Sequence, residues 1–243
     1  MSRKRRKTGV EALEAAYAMA DHDVLRNHLG VNIGDDLLKL ALSHRSFANE
    51  NGHLPNNERL EFLGDAVLGL AVAEELYRRY PERTESGIST MRAGVVNMYA
   101  LADVARGIDL GEHVLLGRGE QKTGGKDKHS ILADTMEALL GAIYLQEGWD
   151  TAKQTVLKLF AQRIKIAPAV ARTMDWKTSL AERCSARKLD APVYSYESEG
   201  PEHDCIFTAV VTINGVARGS GRGHTKKEAE MQAANQAFDA LAL

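Results

Sequence analysis

Four acidic residues stand where acids are costly. The stretch Phe62–Ala73 is apolar on every side except for Asp65, which marks a helix buried all round, and Glu61 sits one turn before it. A second stretch, Ile131–Leu145, has Asp134 and Glu137 as its only charged residues. At about 100° per residue, Glu58, Glu61 and Asp65 project from one helix face, and Asp134 and Glu137 share a face at i, i+3. An unpaired buried carboxylate costs several kcal/mol, and gathering like charges adds to that. A bound divalent cation removes both costs. Ligands that are all oxygen point to a hard ion, Mg²⁺, with Mn²⁺ able to substitute.

Two other readings of the acids compete. Di-iron carboxylate bundles use Glu-x-x-His, but Gly64 and Leu140 stand three residues after Glu61 and Glu137. Salt bridges to Arg59, Arg92 or Lys128 would be the default for a single acid. Two pairs in two apolar helices are harder to explain that way. Cys184 and Cys205 lie far apart without metal-ligand spacing, which argues against a zinc site or a disulfide framework and suits reduced thiols in the cytoplasm. No apolar run reaches the ~20 residues of a membrane span. The basic start, Ser2 to Lys7, is followed by no signal-peptide core.

The elements that must position these acids are mostly helical. Aromatic residues make up only 6% of the 243-residue chain, which disfavours sheet. Helices are expected over Asp35–Ser43, Arg59–Arg79, Val95–Gly107, Ser130–Gln146 and Thr151–Ile164, with Gly, Pro and Asn between them. Residues 1–24 read as a partly disordered extension, 25–165 as a helical catalytic domain, and 166–173, with Pro168, as a linker. The style then changes. Trp176–Lys188 reads as a helix, and Val193–Tyr196, Cys205–Ile213 and Val216–Gly221 read as strands. Asn214-Gly215 suits a type I′ hairpin, and Thr225-Lys226-Lys227-Glu228 has the form of a capping box before an Ala-rich helix. The fold class is therefore mainly α: an all-helical domain followed by a small α-β-β-β-α domain over 174–243.

Several stretches together resemble a known family. Asn57-Glu58-Arg59-Leu60-Glu61-Phe62-Leu63-Gly64-Asp65 is similar to the signature of bacterial ribonuclease III. So are Leu42-Ser43-His44-Arg45-Ser46, Gly117-Arg118-Gly119-Glu120 and Ser130 to Ala138. The C-terminal third resembles a double-stranded-RNA-binding domain through Lys177-Thr178-Ser179-Leu180, Gly200-Pro201-Glu202-His203 and Lys226-Lys227-Glu228-Ala229-Glu230. The resemblance implies metal ligands at Glu61, Asp65, Asp134 and Glu137, with Asp65 and Glu137 central to catalysis, and supporting acids at Glu58 and Glu85. It also implies a homodimer with Phe62 at its interface. The implied activity is metal-dependent cleavage of both strands of duplex RNA, leaving 5′-phosphates and short 3′ overhangs, in the processing of structured precursors such as ribosomal transcripts. Metal ions suit that chemistry because they acidify bound water and stabilise charge on phosphoryl oxygens.

Duplex RNA hides its base edges, so the second domain should read phosphates, 2′-hydroxyls and shape. Candidate contacts are Thr178, Glu182, His203, Arg222, Lys226 and Lys227. Residues 174–243 hold ten acids against eight Lys and Arg, so binding must rest on local clustering. Ala181 and Ser185 stand where the family presents glutamines, which predicts weaker contact from that helix. The competing function is a protein that binds duplex RNA without cutting it. The presence of all four acids argues against it.

Overall fold

The computed structural model describes residues 8–200 and 205–241. Contacts divide the chain into two compact units. One comprises the stretches up to Pro81 and Arg92–Ile166, and the other Glu82–Met91 with the chain from Ala167 onward.

The first unit is built from α1 (Val10–Tyr17), α2 (His22–Leu29), α3 (Asp35–Leu42), α4 (Arg45–Glu50), α5 (Glu58–Arg79), α6 (Glu85–Val95, which straddles the division), α7 (Met98–Arg106), α8 (Arg118–Lys122), α9 (His129–Leu159) and the start of α10 (Ala161–Met174). Its centre is the pairing of α5 with α9, flanked by α7 and α3. Two glycines set the closeness of that pair. A Cβ on Gly64 would come within 1.7 Å of the Glu137 carbonyl oxygen, and one on Gly141 within 2.3 Å of the Leu60 carbonyl oxygen. The helices thus touch backbone to backbone at the turns that bear the acids. Gly64→Ala should therefore destabilise the protein by about 3 kcal/mol, because neither backbone can yield without moving its helix. Thermal unfolding measures this; an unchanged melting temperature would show that the helices need not touch there.

Several sequence expectations are corrected. Helix α5 is not buried all round. Leu60, Gly64, Val67, Leu68, Ala71, Val72 and Leu76 form its buried stripe. Phe62 (81%), Leu70 (58%) and Tyr77 (74%) lie exposed on another side. Helix α9 does fit the expectation, since from Ile131 to Ile143 only Asp134 and Glu137 are less than fully buried. The described part of the 1–24 extension is ordered as α1 and the start of α2. It is tied down by the Lys39–Glu14 ion pair (2.7 Å), a hydrogen bond from Tyr17 to Asp35 (2.9 Å), and a buried ring-to-ring contact of His22 with His113. The supposed linker is helical too, because α10 runs through Pro168. Proline removes one N–H there, yet Ile164, Ala167 and Ala171 recur at helical spacing and are buried. Val95–Gly107 is split, with Asn97 capping α7 through the Ala100 N–H. The boundary expected between Ser130–Gln146 and Thr151–Ile164 is present, because Gly148 (φ 79°) leaves helical conformation and kinks α9 there.

The second unit ends in α11 (Trp176–Ala186), β1 (Val193–Glu199), β2 (Ile206–Ile213), β3 (Val216–Gly223) and α12 (Lys226–Ala240). The strands form an antiparallel sheet in the order β1-β2-β3. Asn214 and Gly215 both have positive φ (52° and 74°), as the hairpin turn requires. Thr225 and Glu228 form the reciprocal capping box. Leu180 and Cys184 of α11, Ala209, Val211 and Ile213 of β2, and the alanines of α12 make the core. Small residues at these positions let α12 lie close on the sheet.

Candidate active site and RNA-binding surface

Three of the four acids converge. Oxygens of Glu61, Asp134 and Glu137 all lie within 4.8 Å of one another. Asp65, a turn beyond Glu61 and exposed, is not in that group. Its charge is nonetheless felt by both Glu61 and Glu137. The geometry follows directly from the glycine contact, which brings the Glu61 turn of α5 against the Glu137 turn of α9.

Electrostatics show how uncomfortable the arrangement is for unneutralised acids. Burial first, then the charges of Asp65, Asp134 and Glu61, push the Glu137 carboxyl up to about 8. Burial, followed by Asp134 and Glu58, raises Glu61, against the opposing pull of Arg45. Burial raises Asp134, which Arg45 again opposes. Among the described residues, no ion pair within 4.0 Å joins these acids to a base. Lys128, one of the sequence-level candidates, is instead 2.5 Å from Glu120. The salt-bridge explanation of the acids therefore finds no support. Three carboxylates close together, with no base in ion-pair contact among the described residues, are a donor set suited to a hard divalent cation.

A concave pocket above Glu61 and Asp134 is lined by Glu58, Arg45, His44 and Lys128, among others. Glu58 is exposed, accepts a hydrogen bond from Asn56 (2.9 Å) and lies 3.8 Å from Arg45. Arg45 was not singled out from the sequence. It comes beside the acids because the start of α5 returns to the start of α4, where the Asn57 N–H donates to the Ser43 carbonyl (3.0 Å), which spacing does not reveal. His44 has a structural role: its ring caps α4 at the Ser46 N–H, and Nδ1 lies 2.7 Å from the Ser46 hydroxyl. Glu85 opens α6 in the second unit and accepts a hydrogen bond from Ser89 (2.8 Å).

In the second unit, Lys226 and Lys227 begin α12 and are exposed. Arg222 is exposed at the end of β3, 3.8 Å from Glu199. Two candidates on α11 are engaged within the unit. The Thr178 hydroxyl donates to Asp175 (2.6 Å), and Glu182 accepts from Arg83 (2.7 Å) and Thr84 (3.1 Å). Ala181 and Ser185 are exposed beside them. His203 lies outside the described residues.

Comparison with known proteins agrees with this geometry. Residues 34–164 match the family described as Ribonuclease-III-like, and residues 176–241 match the double-stranded RNA binding motif. Ribonuclease 3 of Corynebacterium jeikeium is 64% identical over 241 residues, covering 99% of this chain and 98% of that protein. Ribonuclease 3 of Corynebacterium glutamicum is 58% identical, again over 99% of this chain and 98% of the relative. Among solved structures, the nuclease domain of ribonuclease III from Campylobacter jejuni, described with a flexible region involved in dimer formation, superposes with a TM-score of 0.57. It is 40% identical and covers 60% of this chain and 100% of its own.

Proposed function

The chain belongs to the ribonuclease III family and is an endoribonuclease of double-stranded RNA, and from that premise we propose that Glu61, Asp65, Asp134 and Glu137 hold Mg²⁺ at its catalytic centre. The observation that carries this is the convergence of Glu61, Asp134 and Glu137 within 4.8 Å. The ion, when bound, supplies Lewis acidity toward phosphoryl oxygens and a more acidic water. The chain's residues do the rest. Glu137 and Asp134, rigid on buried α9, fix the ligand geometry. Asp65, more exposed on α5, completes the set. Glu58 and Arg45 line the approach, where a guanidinium suits a phosphate oxygen. Glu85 acts as a supporting acid.

Lys226, Lys227 and Arg222 grip phosphates of the duplex, with Thr178, Glu182 and His203 adding contacts. The exposed apolar side of α5, with Phe62, Leu70 and Tyr77, suits burial against a second copy, since water-facing apolar surface of this kind favours association. Two copies place two centres on one duplex, one for each strand, and the products carry 5′-phosphates and short 3′ overhangs. The setting is cytoplasmic processing of structured precursors such as ribosomal transcripts. Among the described residues, no helix is long and apolar enough to cross a membrane.

The test is incubation of the chain with long duplex RNA in Mg²⁺, in Mn²⁺ and in EDTA. Short fragments with 5′-phosphates are expected with either metal, and intact duplex in EDTA. Cleavage that persists in EDTA would overturn the metal assignment. Duplex that is bound but uncut in every metal would leave the binding half alone standing.

A further inference from the structure

Lys226 does not extend freely into solvent. Its ammonium lies 4.1 Å from the centroid of the Tyr196 ring and 6.0 Å from that of Phe207. The sheet register explains how two rings reach one amine. Tyr196 of β1 pairs with Ala209 of β2, and Phe207 stands two residues before Ala209, so the rings are diagonal neighbours on the same face. Lys226, first residue of α12, crosses that face at its edge.

A lysine side chain has large rotamer freedom, and gripping a phosphate normally takes that freedom away. Aromatic faces attract an ammonium on one side and leave its outward N–H bonds available to an acceptor. We infer that Tyr196, backed by Phe207, is a positioning residue for RNA binding: it holds Lys226 in place before the duplex arrives. The inference rests on Lys226 being a phosphate contact. The aromatic residue touches the lysine rather than the RNA, so its effect must vanish when the lysine is gone.

The experiment measures binding of a short labelled RNA duplex to the full chain in EDTA, which prevents cutting, over a series of salt concentrations. Tyr196→Leu should weaken binding roughly three- to five-fold, the size expected of an exposed cation–π contact, while Tyr196→Phe should match the parent. Lys226→Ala should weaken binding and reduce the salt slope by about one. Tyr196→Leu should leave the slope alone and cost nothing further in the Lys226→Ala background. Tyr196 is 48% exposed, so the strand should tolerate the change. Tyr196→Val provides a second ringless variant if Leu lowers the melting temperature. Equal losses with and without Lys226 would overturn the positioning role, and so would tighter binding by Tyr196→Leu, which would mean that the rings compete with phosphate. If Lys226→Ala weakens binding but neither ringless variant does, the positioning role alone falls. If Lys226→Ala changes nothing, the phosphate contact itself is wrong and the inference falls with it.

Discussion

Glu137→Gln should cut long duplex RNA on the order of 10³-fold more slowly than the parent at saturating Mg²⁺, with duplex affinity in EDTA unchanged. The amide keeps the shape of the side chain and removes the charge. Glu137 sits on the buried helix, with oxygens close to those of Glu61 and Asp134, so the loss is felt at the centre of the ligand set. A variant can also lose activity by unfolding, and the same substitution separates the two causes. Burial and three neighbouring acids disfavour the Glu137 carboxylate in the metal-free protein. Its neutral replacement should therefore raise the melting temperature in EDTA at pH 8 while abolishing cutting. Stability rising as activity disappears marks a group retained for chemistry against the preference of the fold. Parental cleavage by Glu137→Gln would remove it from the ligand set. A melting temperature lower in EDTA than the parent's would mean that the carboxylate is structurally favourable after all.

The acid pairs were legible in the sequence because charge inside an apolar helix has few explanations, and i, i+3 or i, i+4 spacing already fixes which side chains share a face. The meeting of the two pairs was less legible. It depends on Gly64 and Gly141, whose missing side chains allow the helices to touch at the Glu137 and Leu60 carbonyls. A glycine within an apolar run looks like a weak helix residue until its neighbour is known. The hairpin and the capping box were readable for the opposite reason: each is local, fixed by two to four consecutive residues. The long apolar run of α5 misled, because a helix apolar on all sides looks the same whether it is buried in its own domain or keeps one side for a partner. Pro168 misled as well, since local backbone preference yields to burial of Ile164, Ala167 and Ala171 around it. On α11, Thr178 and Glu182 could be matched to a motif, but their partners Asp175, Arg83 and Thr84 could not be read from it.

Between pH 8 and pH 6, apparent divalent-cation affinity should fall by about fiftyfold, and the metal-free protein should lose stability as pH rises while the metal-saturated protein stays nearly level. The sign follows from Glu137. Its carboxyl is raised from 4.5 to about 8 in the metal-free fold, so the folded state holds a proton that the unfolded chain has released. Stability is therefore full below the unfolded value of about 4.5 and declines as pH rises toward 8. A cation needs the carboxylate, so below pH 8 the affinity falls with a slope that approaches about tenfold per pH unit for the one proton displaced. Glu61 and Asp134 are also raised, which steepens the dependence at the acidic end. Melting temperatures in EDTA should thus decrease from pH 6 to pH 8, while the added stabilisation by Mn²⁺ should increase over the same interval. Replacing Glu137 by Gln should flatten the EDTA curve, because the group that titrates in this window is gone. Titration calorimetry with Mn²⁺ at three pH values measures the affinity directly. An affinity independent of pH from 6 to 8 would mean that the acids are already ionised when the metal arrives. Their neighbours would then be stabilising the charges, and the strain that makes this cluster a metal site would be absent.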